Sequence, residues 1–217
     1  AETTRAAMIK KWFGDDPHPW KPRCDIFIYN TAQDYSQATG VPVSSPGHST
    51  MKNEGARVLS RKIDLHCDDP NMLIGVLPHE TTHVVLSGRF GDRPVPRWAD
   101  EGMAVLAEPR ERIEKHLRNL PQHRADQQLF TAGQLMKLEN YPDPRYIGPF
   151  YAQSVSLVEF LSEKEGPQTF ARFLRDGMAG GYEPALQRYY HMRNFAELQT
   201  AWERYAFGNA RLASYGQ

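Results

Sequence analysis

The sequence predicts an α+β chain, with a few strands near the N-terminus followed by a mostly helical half. Two observations carry this. Residues 24–30 (CDIFIYN) and 56–66 (ARVLSRKIDLH) are strand candidates, and the first alternates apolar with polar residues and is rich in β-formers. From Arg97 onward the chain reads as segments of helical length punctuated by proline and glycine. The length of 217 residues suits one domain, with a sheet sub-domain over about 1–88 and a helical one over about 89–217.

Taken in order, residues 4–13 read as a short helix and 14–22 as a turn-rich stretch containing Pro17, Pro19 and Pro22. After the first strand, residues 31–39 form a short helix closed by Gly40, and 42–47 (PVSSPG) a loop. The second strand leads into Asp69-Pro70, an N-cap followed by proline at the first helical position. That helix is expected to run to about Ser87, to stop at Gly88, and to kink at Pro78, which removes a backbone hydrogen bond. Residues 88–96 form a loop, and 97–108 a short apolar helix ended by Pro109. Further helices are expected over 110–120, 132–138, 151–165, 167–176, 183–190 and 195–207.

Composition narrows the function classes. Hydrophobic residues make up 40% and charged residues 24%, ordinary values for a soluble globular chain. Lys and Arg number 26 and Asp and Glu 26, so nothing points to nucleic acid or an anionic membrane as the main partner. The longest apolar run, residues 72–77, is far below spanning length, so no transmembrane segment is expected. The chain starts at Ala1 with no charged-then-apolar leader, which a removed signal peptide or an internal start would explain equally. Cys24 and Cys67 each lie beside a strand segment. They allow one disulfide, suited to an oxidising compartment, or two buried free thiols. An extracytoplasmic or secreted location is the expectation.

The chemistry concentrates in His79-Glu80-Thr81-Thr82-His83, an HExxH pattern on a predicted helix. Residues four apart lie on one helix face, one turn above another, so two imidazoles can bind a single zinc ion. Glu80 is rotated by about 100 degrees from His79. From there it serves as a base towards water on the open side of the metal rather than as a third ligand. A plain solvated helix face is the alternative. The apolar flanks, 72–77 and 84–86, argue for burial, and two imidazoles and a carboxylate buried unpaired would cost several kcal/mol. A metal satisfies all three.

A catalytic zinc has three protein ligands and an open position. The candidate third ligand is Glu101, in residues 96–104 (PRWADEGMA), early in a short helix with Trp98, Met103, Val105 and Leu106 as its apolar face. Asp100 competes for the role, and a capping carboxylate is the bland reading of Glu101. Gly102 favours Glu101 because it permits close backbone approach. Asp100 could instead orient one histidine from behind, or cap the helix facing solvent.

With these residues in view, the chain resembles the gluzincin clan of zinc metallopeptidases. The likeness runs through VLPHETTHVVL, RWADEGMA and FYAQSVSLVEFL, roughly residues 56–166. The pattern HExxH followed by WxxEGxA is similar to that of the small peptidase MA-like domains. It is related in layout to the catalytic domain of zinc aminopeptidases. The resemblance implies a zincin-like fold, with a small mixed sheet and the HExxH helix beneath it. It also implies one zinc ion held by His79, His83 and Glu101. A third matching segment places Tyr151 at the head of a helix, with Leu161 and Gly166 in corresponding positions and Ser154 where the clan's aminopeptidases have glycine. The implied role of Tyr151 is to donate its hydroxyl to the developing oxyanion. A core aromatic is the alternative, and Tyr146 is its nearest competitor. Where those aminopeptidases carry a glutamate that holds the free amine, residues 49–53 (STMKN) carry Lys52, which would repel an ammonium group.

The expected function is zinc-dependent hydrolysis of peptide bonds in a peptide or protein substrate. Glu80 activates the zinc-bound water, and zinc and Tyr151 stabilise the oxyanion. The strand at 56–65, taken as the sheet edge above the cleft, would pair with an extended substrate and make the enzyme an endopeptidase. Competing readings are a non-catalytic zincin-like module that binds a protein or glycan, a structural protein without zinc, and an exopeptidase. The remaining histidines, 18, 48, 66, 116, 123 and 191, share no ligand spacing, though His191 lies in an aromatic stretch that could line a cleft.

Overall fold

The structure, a computed structural model, describes residues 1–15, 17–55, 57–91 and 93–208. It is α+β, with a small three-stranded mixed sheet and a mostly helical remainder. The chain divides into two compact units. The first comprises Ala1–Lys10, Gly14–Val95 and Ala107–Pro109. The second comprises Lys11–Phe13, Pro96–Leu106 and Arg110–Gln217.

The first unit holds most of helix α1 (Glu2–Phe13), then β1 (Cys24–Tyr29), α2 (Ala32–Thr39), β2 (Gly47–Glu54), β3 (Arg57–His66), a π-helical turn at Met72–Val76, and α3 (Leu77–Phe90). Strand order is β1-β3-β2, with β1 parallel and β2 antiparallel to β3. The strand expected at the sheet edge is therefore the central one, and β1 and β2 are the edges.

Alternation along β3 sends its residues to opposite faces. Ile63 and Leu65 join Val76, Leu77 and Val84 in an apolar core. The other face is polar and tightly bonded. Fully buried Asp64 accepts a hydrogen bond from the Tyr29 hydroxyl at 3.0 Å and pairs with the Lys62 ammonium at 2.8 Å. Its second oxygen lies 3.6 Å from His48 Nε2, directly across the β2–β3 ladder. Tyr35 of α2 covers this cluster, its hydroxyl 2.9 Å from His48 Nδ1 and its ring edge-on to Tyr29. A carboxylate out of water is tolerable only with this many partners.

Several expectations change. Strand β2 starts at the end of the expected loop, at Gly47, and occupies a stretch to which the sequence assigns no element. The helix expected from Asp69 begins at Met72, because the Asp69 carboxylate caps a turn by accepting from the Asn71 N–H at 2.7 Å. The π-helical turn also swings Leu73 and Ile74 outward, each 61% exposed, so the run 72–77 is buried only from Gly75 on. Pro78 is the second residue of α3, directly after the π-helical turn, so the change of winding falls next to the proline. The helix passes through Gly88 and ends at Gly91, whose φ of 67° suits glycine alone.

Neither cysteine is paired. Cys24 lies beside Arg61, and Cys67 follows His66, whose partner is Tyr29 at the far end of β1. Six residues of strand separate their levels, roughly 20 Å at about 3.3 Å per residue, while a disulfide needs Cα atoms within about 7 Å. Burial pushes the Cys24 thiol up to about 11. The bridge that would suit an oxidising compartment is absent.

The second unit is helical: α4 (Arg97–Val105), α5 (Arg110–Arg118), α6 (Leu120–Ala125), α7 (Ala132–Met136), a 3-10 turn at Pro144–Tyr146, α8 (Ile147–Glu165), α9 (Pro167–Gly180), α10 (Tyr182–Tyr190) and α11 (Phe195–Phe207). Helix α6 was hidden by Pro121, which sits harmlessly in its first turn. Helix α8 begins four residues earlier than expected, so Tyr151 lies in its second turn rather than at its head. Phe150, Leu157 and Leu161 of α8 are buried, Trp202 of α11 donates to Ser156 Oγ at 3.1 Å, and Trp12 from the end of α1 meets the Phe170 ring at 5.7 Å. Among the described residues, no helix is long and apolar enough to cross a membrane.

Helices α4 and α8 touch at Gly102. A Cβ there would sit 2.6 Å from Val158 Cγ2 and 2.7 Å from the Ser154 backbone oxygen. The close approach this glycine permits is thus to α8. Backbone cannot yield as a side chain does, so Gly102→Ala is expected to destabilise by about 1–3 kcal/mol. Thermal melting should show a midpoint lower by several degrees. An unchanged midpoint would mean the two helices separate freely.

Candidate metal centre

Helix α3 places His79 and His83 one turn apart, their ring centroids 4.8 Å from each other and their planes at 76°. One ligand atom from each of His79, Glu80 and His83 lies within 4.8 Å of the others. Glu80 is 7% exposed, so a carboxylate sits almost dry beside the two imidazoles. Two imidazoles one helical turn apart are a donor pair that one metal ion could share, with the Glu80 carboxylate beside them.

His79 Nδ1 lies 2.7 Å from Glu108 Oε1, and the Glu108 side chain is 6% exposed. With the proton on Nδ1, His79 donates to that carboxylate and keeps its Nε2 lone pair for a metal. Carboxylate backing of this kind fixes both the tautomer and the ring orientation. Glu108 belongs to the first unit, in the short return Ala107–Pro109. For His79, the orienting role considered for Asp100 thus falls to Glu108. The Asp100 carboxylate lies 3.7 Å from Arg97 on its own helix. No spacing rule could have singled out Glu108, which was read as the end of a helix that stops at Val105.

If His79 ligates a metal, removing this brace has a measurable consequence. Glu108→Ala is expected to weaken zinc binding by about 10–100-fold, read by competition with a chromogenic chelator. An unchanged affinity would leave Glu108 as a mere ion-pair partner.

In the second unit, Glu101 of α4 is 2% exposed and accepts a hydrogen bond on Oε1 from the Tyr141 hydroxyl. The Tyr151 phenol of α8 is near enough to feel both the Glu101 charge and the Tyr141 phenol. Burial first, then the Glu101 charge, pushes both phenols well above their ordinary value. Both therefore carry their protons at neutral pH. Phe150 stands edge-on to the Tyr141 and Tyr151 rings, and His116 stacks on Tyr151 at 5.9 Å. Tyr146, considered as the competitor of Tyr151, packs against Phe130 instead. The phenol that joins Tyr151 is Tyr141, which sequence reasoning missed because it stands in a proline-flanked loop with no pattern around it.

Most of the remaining histidines have local structural roles, while for His18 it is the backbone carbonyl that accepts, from Arg5 at 2.8 Å. His48 and His66 line the polar face of the sheet, His123 faces Gln128 at 3.1 Å, and His191 caps α10 in a left-handed conformation.

No protein-family model matches the chain, and no curated protein or solved structure matches it either.

Proposed function

We propose that this chain is a zinc-dependent peptidase of the gluzincin type, with a zincin-like fold. In this reading His79, His83 and Glu101 hold one zinc ion. The observation that carries it is the His79–Glu80–His83 cluster on α3, with His79 braced from behind by buried Glu108. A solvated helix face has no use for a carboxylate placed to fix one tautomer of one imidazole. The sequence resemblance supplies Glu101 as the third ligand, and its burial with the Tyr141 hydroxyl bonded to Oε1 suits a carboxylate held in a single orientation.

Zinc would supply Lewis acidity, lowering the pKa of water towards 7 and polarising the scissile carbonyl. Glu80 takes the proton from the attacking water and passes it to the departing amine. Tyr151, protonated at neutral pH, donates its hydroxyl to the oxyanion. An extended substrate would add to β2 rather than to β3, since β2 has an open edge and packs against α3. Pairing along a strand engages the middle of a peptide, which favours endopeptidase action on peptide or protein substrates.

The test combines metal content with hydrolysis. One zinc per chain and cleavage of an internally quenched peptide blocked at both ends are expected. Zinc without cleavage of blocked or free peptides would point to a binding module, and no stoichiometric zinc would end the reading altogether.

A further inference from the structure

We infer that Tyr141 is a positioning residue for Glu101, holding that carboxylate in the one orientation in which it can serve a metal. The inference rests on the zinc reading above and goes beyond it by naming what sets the third ligand. Tyr141 is 44% exposed, yet its hydroxyl reaches inward to donate to a carboxylate that is 2% exposed. Burial alone does not explain a ring that stands half in water. Its orientation is fixed from two sides: Phe150 meets it edge-on at 5.9 Å, and the Arg97 guanidinium lies over it at 5.0 Å. Arg97 in turn pairs with Asp100, the neighbour of Glu101 on α4. Ring, cation and carboxylate thus form one assembly around Oε1 of Glu101.

A phenol carries one hydrogen, and a carboxylate accepts through lone pairs on both oxygens. With Tyr141 donating to Oε1, rotation of the carboxylate breaks a charge-assisted hydrogen bond. The carboxylate is thereby steered to present one oxygen rather than two. Tyr141→Phe keeps the contacts with Phe150 and Arg97 and deletes only the hydroxyl.

The test loads wild type and Tyr141→Phe with cobalt(II), whose visible absorption is more intense in four-coordinate than in five- or six-coordinate sites. We expect wild type to bind one cobalt. We expect the variant to bind 10–100-fold more weakly, with a visible band that is shifted and less intense. An identical band and affinity in the two proteins would overturn the role of Tyr141 while leaving the zinc site in place. A lower melting midpoint with an unaltered band would assign the hydroxyl to packing and overturn it equally. If wild type takes up no cobalt or zinc, the metal reading falls and this inference falls with it.

Discussion

Replacing Glu80 with glutamine is expected to lower peptide hydrolysis by about 10²–10⁴-fold while leaving zinc bound. The two side chains have the same shape, and the amide can still hydrogen-bond to water. It cannot take a proton. Glu80 is nearly dry and close to both imidazoles, so a change of charge there alters chemistry more than packing. Metal content measured beside turnover separates the two effects. Turnover within tenfold of wild type, with metal retained, would remove Glu80 from the role of base.

Replacing Glu101 with alanine should have the larger effect on metal. Zinc affinities of about 10–16 kcal/mol are shared among three or four ligands, so the loss of one corresponds to roughly a thousandfold weaker binding. A second consequence distinguishes Glu101 from an exposed capping residue. The Tyr141 hydroxyl loses its charged acceptor, and a hydrogen bond to a charged group contributes about 1.5–3 kcal/mol. Glu101→Gln keeps an acceptor oxygen and should recover much of the stability while binding zinc poorly. Chelator competition and thermal melting on the pair of variants read the two effects separately. Wild-type zinc affinity in Glu101→Ala would place the third ligand elsewhere.

The helical half was legible where glycine and proline mark a helix end, as at Gly166-Pro167, and less so at α4, which stops at Val105 short of Pro109. The first strand and β3 were legible from their β-forming composition. Strand β2 was not. Ser49, Lys52, Asn53 and Glu54 give it no apolar alternation, since an edge strand exposes most of its residues and is recruited by the neighbour it pairs with. The placement of β3 at the sheet centre was missed for the same reason. The π-helical turn was invisible because a run such as 72–77 looks alike whether wound at 3.6 residues per turn or wider, and only the winding decides that Leu73 and Ile74 face outward.

At the site, legibility followed spacing. His79, Glu80 and His83 announce themselves because four-residue spacing on a helix is a geometric statement in its own right. Glu108 and Tyr141 lie outside any such pattern. Glu108 is 29 positions from the imidazole it braces and Tyr141 40 from the carboxylate it holds, so folding alone creates those contacts.

The buried Asp64 cluster has a consequence for how the sheet assembles. Sliding β3 by one position would drive that carboxylate into the layer of Val76, Leu77 and Val84 and would turn Ile63 and Leu65 towards Tyr35. Stranding a charge in hydrocarbon costs several kcal/mol, so the slipped register is strongly disfavoured. The same alignment fixes which stretch of β2 runs alongside α3. In the peptidase reading, the rim offered to a substrate would thus be set by a side chain that the substrate never meets.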